Sequence, residues 1–187
     1  MDIAKIFARS WGLMMSTAST WEEIADEQTK LNDSFKLFVI PWVVLCTILS
    51  FVFGMLFADN KVFATGFVNA ATVSFSLLTG YFLTRNITLS YITTNISAEF
   101  SKINIEKLVA YSFTVLYVMK MVTEIIPSLF FLKILNIYTA YIVWDGCATL
   151  LGLDEDYRGK VMLLVSVCII FIPGIISRII RFMLPAF

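Results

Sequence analysis

The sequence predicts an all-α integral membrane protein, a bundle of five transmembrane helices preceded by an amphipathic helical segment. Three observations predict it. Of the 187 residues, 59% are hydrophobic and only 15% charged, whereas a soluble domain holds about 45–50% and 25%. The apolar residues form runs, and a helix needs about 20 of them to cross a hydrocarbon core of ~30 Å. The stretch Leu108–Leu151 is long enough for two such helices and is divided only by Pro127. It reads as a helical hairpin that carries Lys120, Glu124, Lys133 and Asp145 at membrane depth.

At the amino end, Ile3, Ile6, Phe7, Trp11 and Met14 recur at helical spacing, with Asp2, Lys5, Arg9 and Ser10 between them. That pattern predicts an amphipathic helix over 2–14 lying in the membrane interface. The first twenty residues lack a sustained apolar run, so a cleaved leader is not expected. Thr20 and Glu23 have the spacing of a capping box, which predicts a second short helix over 21–30. We therefore divide the chain into an interfacial segment, 1–36, and a five-span domain, 37–187.

Leu37–Phe57 is the first span, with Pro41 in its first turn, where a missing N–H costs little. Ala58-Asp59-Asn60-Lys61 reads as a short polar turn. The second span begins near Val62 and is expected to end near Arg85, the alternative being one long helix through the Thr/Ser/Asn-rich stretch to Ile96. Gly66, Ala70 and Ser74 repeat every fourth residue, as do Ser76 and Gly80, and such stripes let helices approach closely in lipid. The polar stretch 97–107 is expected outside the hydrocarbon. Leu108–Ile126 and Ser128–Leu151 are the third and fourth spans, 152–160 is a charged loop, and Val161–Ile180 is the fifth. Pro173-Gly174 suggests a kink, and Arg178 and Arg181 are placed to snorkel toward an interface. Most Lys and Arg outside the spans fall on the side of the amino terminus, so that end is expected to be cytoplasmic.

Composition also excludes chemistry. There is no histidine, and the net charge is zero, so His-based triads, His metal ligands and a basic nucleic-acid surface are not available. Cys46, Cys147 and Cys168 lie far apart in apolar runs and read as buried thiols. No nucleophile elbow, zinc-protease, phosphate-loop or dinucleotide motif is present. Glu22-Glu23 are adjacent and do not share a helix face, and Asp154, Glu155 and Asp156 read as a solvated run. No catalytic, cofactor or metal site is therefore expected, and the protein is read as non-enzymatic. The informative residues are the charges within or beside spans: Arg85, Lys120, Glu124, Lys133 and Asp145. Buried charge in a membrane protein is costly and marks function by default. Depth along the helices suggests that Glu124 pairs with Lys120 and Lys133, and Arg85 with Asp145.

The run Leu108-Val109-Ala110-Tyr111-Ser112-Phe113-Thr114, then Ile126-Pro127, then Leu135-Asn136-Ile137-Tyr138-Thr139-Ala140-Tyr141 and Gly146, resembles the Yip1 domain family in its small bacterial-type members. Trp21-Glu22-Glu23-Ile24-Ala25 and Pro41 fit the same pattern. The resemblance implies a five-span fold and marks Tyr111, Ser112, Pro127, Tyr138, Tyr141 and Gly146 as motif residues. It departs at Val115, where members often carry proline. The Asp-Leu-x-Gly-Pro motif of eukaryotic members is missing, so GTPase binding is not carried over. The resemblance implies a membrane scaffold, or a protein that binds a partner, a lipid or a second copy. Solute or ion transport through the intramembrane charges is the alternative.

Overall fold

The computed structural model describes residues 3–58, 62–96 and 100–183; the expected polar turn at Asp59-Asn60-Lys61 lies outside them. Among the described residues every regular element is helical, and five helices are long and apolar enough to cross a membrane. The chain is an all-α bundle and an integral membrane protein.

Two short helices come first, α1 (Ile3–Met15) and α2 (Thr17–Asp26). They fold against each other about Ser16, so tightly that a Cβ on Gly12 would lie 2.6 Å from Thr20 Oγ1. The expected capping box is not formed. The second helix starts four residues earlier, and Thr20, now in its interior, donates back to the Ser16 carbonyl at 2.9 Å. A buried stripe explains the earlier start, because Thr17, Thr20, Trp21 and Ile24 all face the bundle. Trp21 is fully buried and its indole N–H donates to the Ile142 carbonyl at 2.9 Å. On α1, Ile6, Ser10 and Leu13 are buried, while Phe7, Trp11 and Met15 form an exposed stripe.

The first span opens with a wide turn over Phe35–Val39, in which the Ile40 N–H reaches back to the Phe35 carbonyl, and continues as α3 (Ile40–Leu56). Pro41 has no N–H to give to a regular fourth-residue ladder, and the widened turn accommodates that loss. The second span is one helix, α4 (Val62–Asn95), not one ending near Arg85. Its hydroxyl-rich end stays helical because Thr84, Thr88 and Ile92 are buried by neighbouring helices and Thr93 bonds back to Leu89.

The third span is the most enclosed of the five. It runs as α5 (Lys102–Ser112) and α6 (Thr114–Ile125), jogged at Phe113, where Thr114 Oγ1 takes the Tyr111 carbonyl at 2.6 Å. It starts earlier than expected. Glu106 and Lys107 are buried inside it, not part of an exposed polar segment. The fourth span is not a continuous α-helix after Pro127: a tighter 3₁₀ stretch, Pro127–Tyr138, leads into α7 (Thr139–Leu151). Gly152 ends it in the left-handed conformation, and α8 (Glu155–Met183) begins inside the stretch read as a charged loop. Acidic Glu155 and Asp156 in the first turn of α8 suit the helix dipole. The helix runs through Pro173.

The small-residue stripes act as expected. Gly80 receives Pro173, Ser76 Oγ lies 2.8 Å from Ser177 Oγ, and Gly66 lies against Phe51 and Met55. On α7, a Cβ at Gly146 would sit 2.6 Å from Leu108 Cδ1 and 2.8 Å from the Trp21 ring. The Trp21 indole is held by its hydrogen bond and cannot move aside as a flexible chain end would. Gly146→Ala should therefore lower stability in detergent by about 1–3 kcal/mol. Gly174→Ala, whose added methyl meets nothing within 4 Å, should cost nothing; thermal unfolding of both variants checks this.

Candidate functional site

Two polar clusters lie at opposite ends of the bundle, and a layer of packed aromatics separates them. The layer is read directly from the sequence of the central helices. On α4, Leu77 is followed one turn later by Tyr81 and then by Arg85; on the third span, Lys120 and Tyr117 precede Phe113 when read backward. Leu77, Tyr81, Phe113 and Tyr117 are all essentially buried. The rings of Tyr81 and Phe113 are 6.0 Å apart and those of Phe113 and Tyr117 5.7 Å.

The first cluster ties the amino-terminal helices to the bundle. Glu106, 1% exposed, accepts from Arg85 Nη2 at 3.0 Å, from the Asn32 backbone N–H at 3.0 Å and from the Phe35 N–H at 3.4 Å. Asn32 reaches it from a left-handed turn, a conformation asparagine tolerates. Lys107, 3% exposed, donates to the Ile24 carbonyl at 2.7 Å and the Glu27 carbonyl at 2.8 Å. Arg9 binds the Glu27 carboxylate and donates to Tyr111 Oη at 3.0 Å. Burial works against the Arg9 charge, but the Glu27 hydrogen bond and the nearby Tyr111 outweigh it, so the guanidinium is more basic than usual.

The second cluster lines a cavity of about 420 Å³ near the Pro127 end, walled by α4, α6, the 3₁₀ stretch and α8. Lys120, Lys133, Arg178 and Arg181 line it, with Asn136, Ser76 and Ser177. A second cavity, of about 300 Å³, shares Lys120, Lys133 and Arg181 and adds Glu124, Asn69 and Pro127. Lys120 is bonded to Glu124 one turn along α6. Lys133 has no carboxylate within 4 Å among the described residues, and neither do Arg178 and Arg181. The Ser76–Ser177 and Gly80–Pro173 contacts fix an antiparallel register that sets Arg181 level with Thr72. Thr72 is ten residues into α4, about 15 Å from its start. Arg178 and Arg181 line the cavity wall at that level while their side chains stay exposed, so the expectation that they snorkel is not contradicted.

Of the charges singled out from sequence, the structure brings Lys120, Glu124 and Lys133 together but directs Arg85 to Glu106, not to Asp145. Depth along a helix carries no information on which face a side chain takes, and Glu106 was hidden in a stretch read as exterior. Asp145 lines neither of these cavities; its Oδ2 is buried with no hydrogen-bond partner. Three of the six motif residues serve the amino-terminal helices. Tyr111 takes Arg9 and packs edge-on to Trp21, Tyr138 Oη donates to the Met14 carbonyl at 3.1 Å, and Gly146 seats Trp21. Tyr141 is exposed beside Tyr138, Ser112 is buried with its hydroxyl unpartnered, and Pro127 starts the 3₁₀ stretch. Arg178, Arg181, Asn136, Glu106 and Lys107 were not anticipated as site residues. The period Ile105, Leu108, Val109, Ser112, extended backward, is the signal that places Glu106 and Lys107 inside a helix.

Comparison with family models, with curated proteins and with solved structures returns no match to this chain.

The Arg85–Glu106 pair gives a direct test. Arg85→Gln should cost about 3 kcal/mol, the low end for a buried pair because Arg85 keeps 20% exposure. Combined with Glu106→Gln it should cost less than the two single losses added, whereas Arg85→Gln with Asp145→Asn should be additive. Denaturant unfolding in detergent reads all three.

Proposed function

We propose that this chain is a non-enzymatic membrane protein of the Yip1 type that binds an anionic ligand in the basic cavity at its Pro127 end. One observation carries the reading: four cations line the joined cavities and one carboxylate, Glu124, opposes them. Charge held inside a span costs several kcal/mol unless it is paired or hydrated. Lys133, Arg178 and Arg181 are exposed on the cavity walls, and gathering three unbalanced positive charges there makes sense if a ligand supplies the missing negative charge. The scaffold role implied by the resemblance takes this form, that of a lipid- or anion-binding membrane component. The distribution of Lys and Arg supports a cytoplasmic amino terminus, and the resemblance to bacterial-type members supports a bacterial inner membrane, with the exposed Phe7, Trp11 and Met15 stripe resting in the inner leaflet.

Anion transport is the second reading. It is favoured by the two cavities lying side by side, with Lys120, Lys133 and Arg181 lining both. The layer of Leu77, Tyr81, Phe113 and Tyr117 weighs against it, because these packed side chains are buried and fill the space between the two clusters.

Mass spectrometry of the intact protein released from native membranes tests the proposal. Wild type should retain anionic adducts, and Arg178→Gln with Arg181→Gln should lose them. The same variant should unfold at a higher temperature in ligand-free detergent, since like charges in poor solvent repel. Unchanged adducts in the variant would refute the cavity as the binding site.

A further inference from the structure

We infer that the group bound in this cavity is a phosphate monoester, and that it enters by displacing Glu124 from Lys120. The inference rests on the anion-binding reading above and names its ligand. The charge count comes first. Lys120, Lys133, Arg178 and Arg181 against Glu124 leave three positive charges among the lining residues. A phosphate monoester carries about −1.5 to −2 near neutrality and offsets most of this, while a carboxylate or a phosphate diester offsets one.

Geometry points the same way. The donors converge from three elements: Lys120 from α6, Lys133 and Asn136 from the 3₁₀ stretch, and Ser177, Arg178 and Arg181 from α8. Donors spread over three walls suit a tetrahedral group, whose oxygens point in different directions. Arg178 and Arg181 are three residues apart and therefore neighbours on α8, and guanidinium forks match phosphate oxygens bidentately.

A further lining residue is neutral. Asn136 is only 8% exposed and lines the cavity. Its Oδ1 is sealed away from the cavity space, so what its amide can offer a ligand is N–H donors, which suit phosphate oxygens. The cavity is larger than a phosphate alone and its remaining wall is apolar, formed by Val73, Leu77, Leu116 and Ile170. That leaves room for an organic substituent next to the phosphate.

Glu124 sets the terms of entry. It lies one turn from Lys120 and holds that ammonium now. An incoming phosphate competes for the same cation, and the released carboxylate faces the second cavity, which it already lines. Removing the carboxylate should therefore tighten binding, a result that a purely structural ion pair would not give.

Phosphate monoesters reach a membrane protein as lipids or as soluble esters, and the test separates them. Thermal unfolding of the full chain in detergent is followed at constant ionic strength with glycerol phosphate, acetate, or mixed micelles holding phosphatidic acid or phosphatidylglycerol. Stabilisation by a monoester at about tenfold lower concentration than by acetate or phosphatidylglycerol is expected, the size of one added charge-assisted contact. Stabilisation by phosphatidic acid alone assigns the lipid source, and stabilisation by glycerol phosphate as well assigns the phosphate group irrespective of its carrier. Arg181→Gln should raise the half-saturating concentration about tenfold, and Glu124→Gln should lower it. Lys133→Gln serves as a second cavity variant if Arg181→Gln does not fold. Equal effects of acetate, diester and monoester would overturn the phosphate assignment and leave anion binding standing. No stabilisation by any anion, with variants indistinguishable from wild type, would overturn both. Weaker binding by Glu124→Gln would overturn the displacement step.

Discussion

Two adjacent side chains, Glu106 and Lys107, hold the amino-terminal half of this protein to the rest. Successive residues on a helix point about 100° apart, so one turn of α5 reaches two different helix ends. Glu106 meets the backbone N–H groups of Asn32 and Phe35 at the start of the first span. Lys107 meets the carbonyls of Ile24 and Glu27 at the end of α2. In each case the charge has the sign that suits the helix dipole and satisfies groups that a helix terminus leaves unpaired. Both side chains are almost fully buried, so either left alone would be costly. Arg85 supplies the counter-charge for Glu106, while Lys107 is served by neutral carbonyls. The docking of Trp21 on Gly146 and of Arg9 on Glu27 and Tyr111 depends on α2 ending where Lys107 receives it.

The contrast between the two ends of the bundle carries the functional argument. At the Glu106 end the buried Glu106 and Lys107 each meet an opposite charge or a row of backbone dipoles. At the Pro127 end three of the four cations meet neither among the described residues. The aromatic layer between them lets one end remain a compact polar anchor while the other remains an open, positively charged cavity. A fold under selection for stability alone gains nothing from the second arrangement, because like charges gathered on one cavity wall repel one another.

Much of the fold was legible in the sequence because lipid makes a simple demand. An apolar run of sufficient length becomes a helix, and the runs beginning near Leu37, Val62, Leu108, Ser128 and Val161 all did. The stripe through Ser76 and Gly80 also announced a close neighbour, which proved to be α8. Side-chain partners were less legible. Thr20 and Glu23 had the spacing of a capping box, but the buried stripe from Thr17 began the helix earlier and put Thr20 in its interior. Counting depth along the spans paired Arg85 with Asp145, but Arg85 meets Glu106, which lay in a stretch whose polarity hid its burial. Arg178 and Arg181 read as terminal residues because counting from the chain end ignores register. The Pro173–Gly80 contact slides α8 inward along α4 and carries both arginines into the cavity wall.

The claim that Lys107 anchors the amino-terminal helices is tested most directly by hydrogen exchange on the full chain in detergent, comparing wild type with Lys107→Met. Methionine keeps the length of the side chain and removes the donors, leaving the Ile24 and Glu27 carbonyls without them. The account predicts that amides in α1 and α2 lose protection while those in α4 and α8 around the cavity keep theirs. Unchanged protection in α1 and α2, or an even loss along the whole chain, would contradict it.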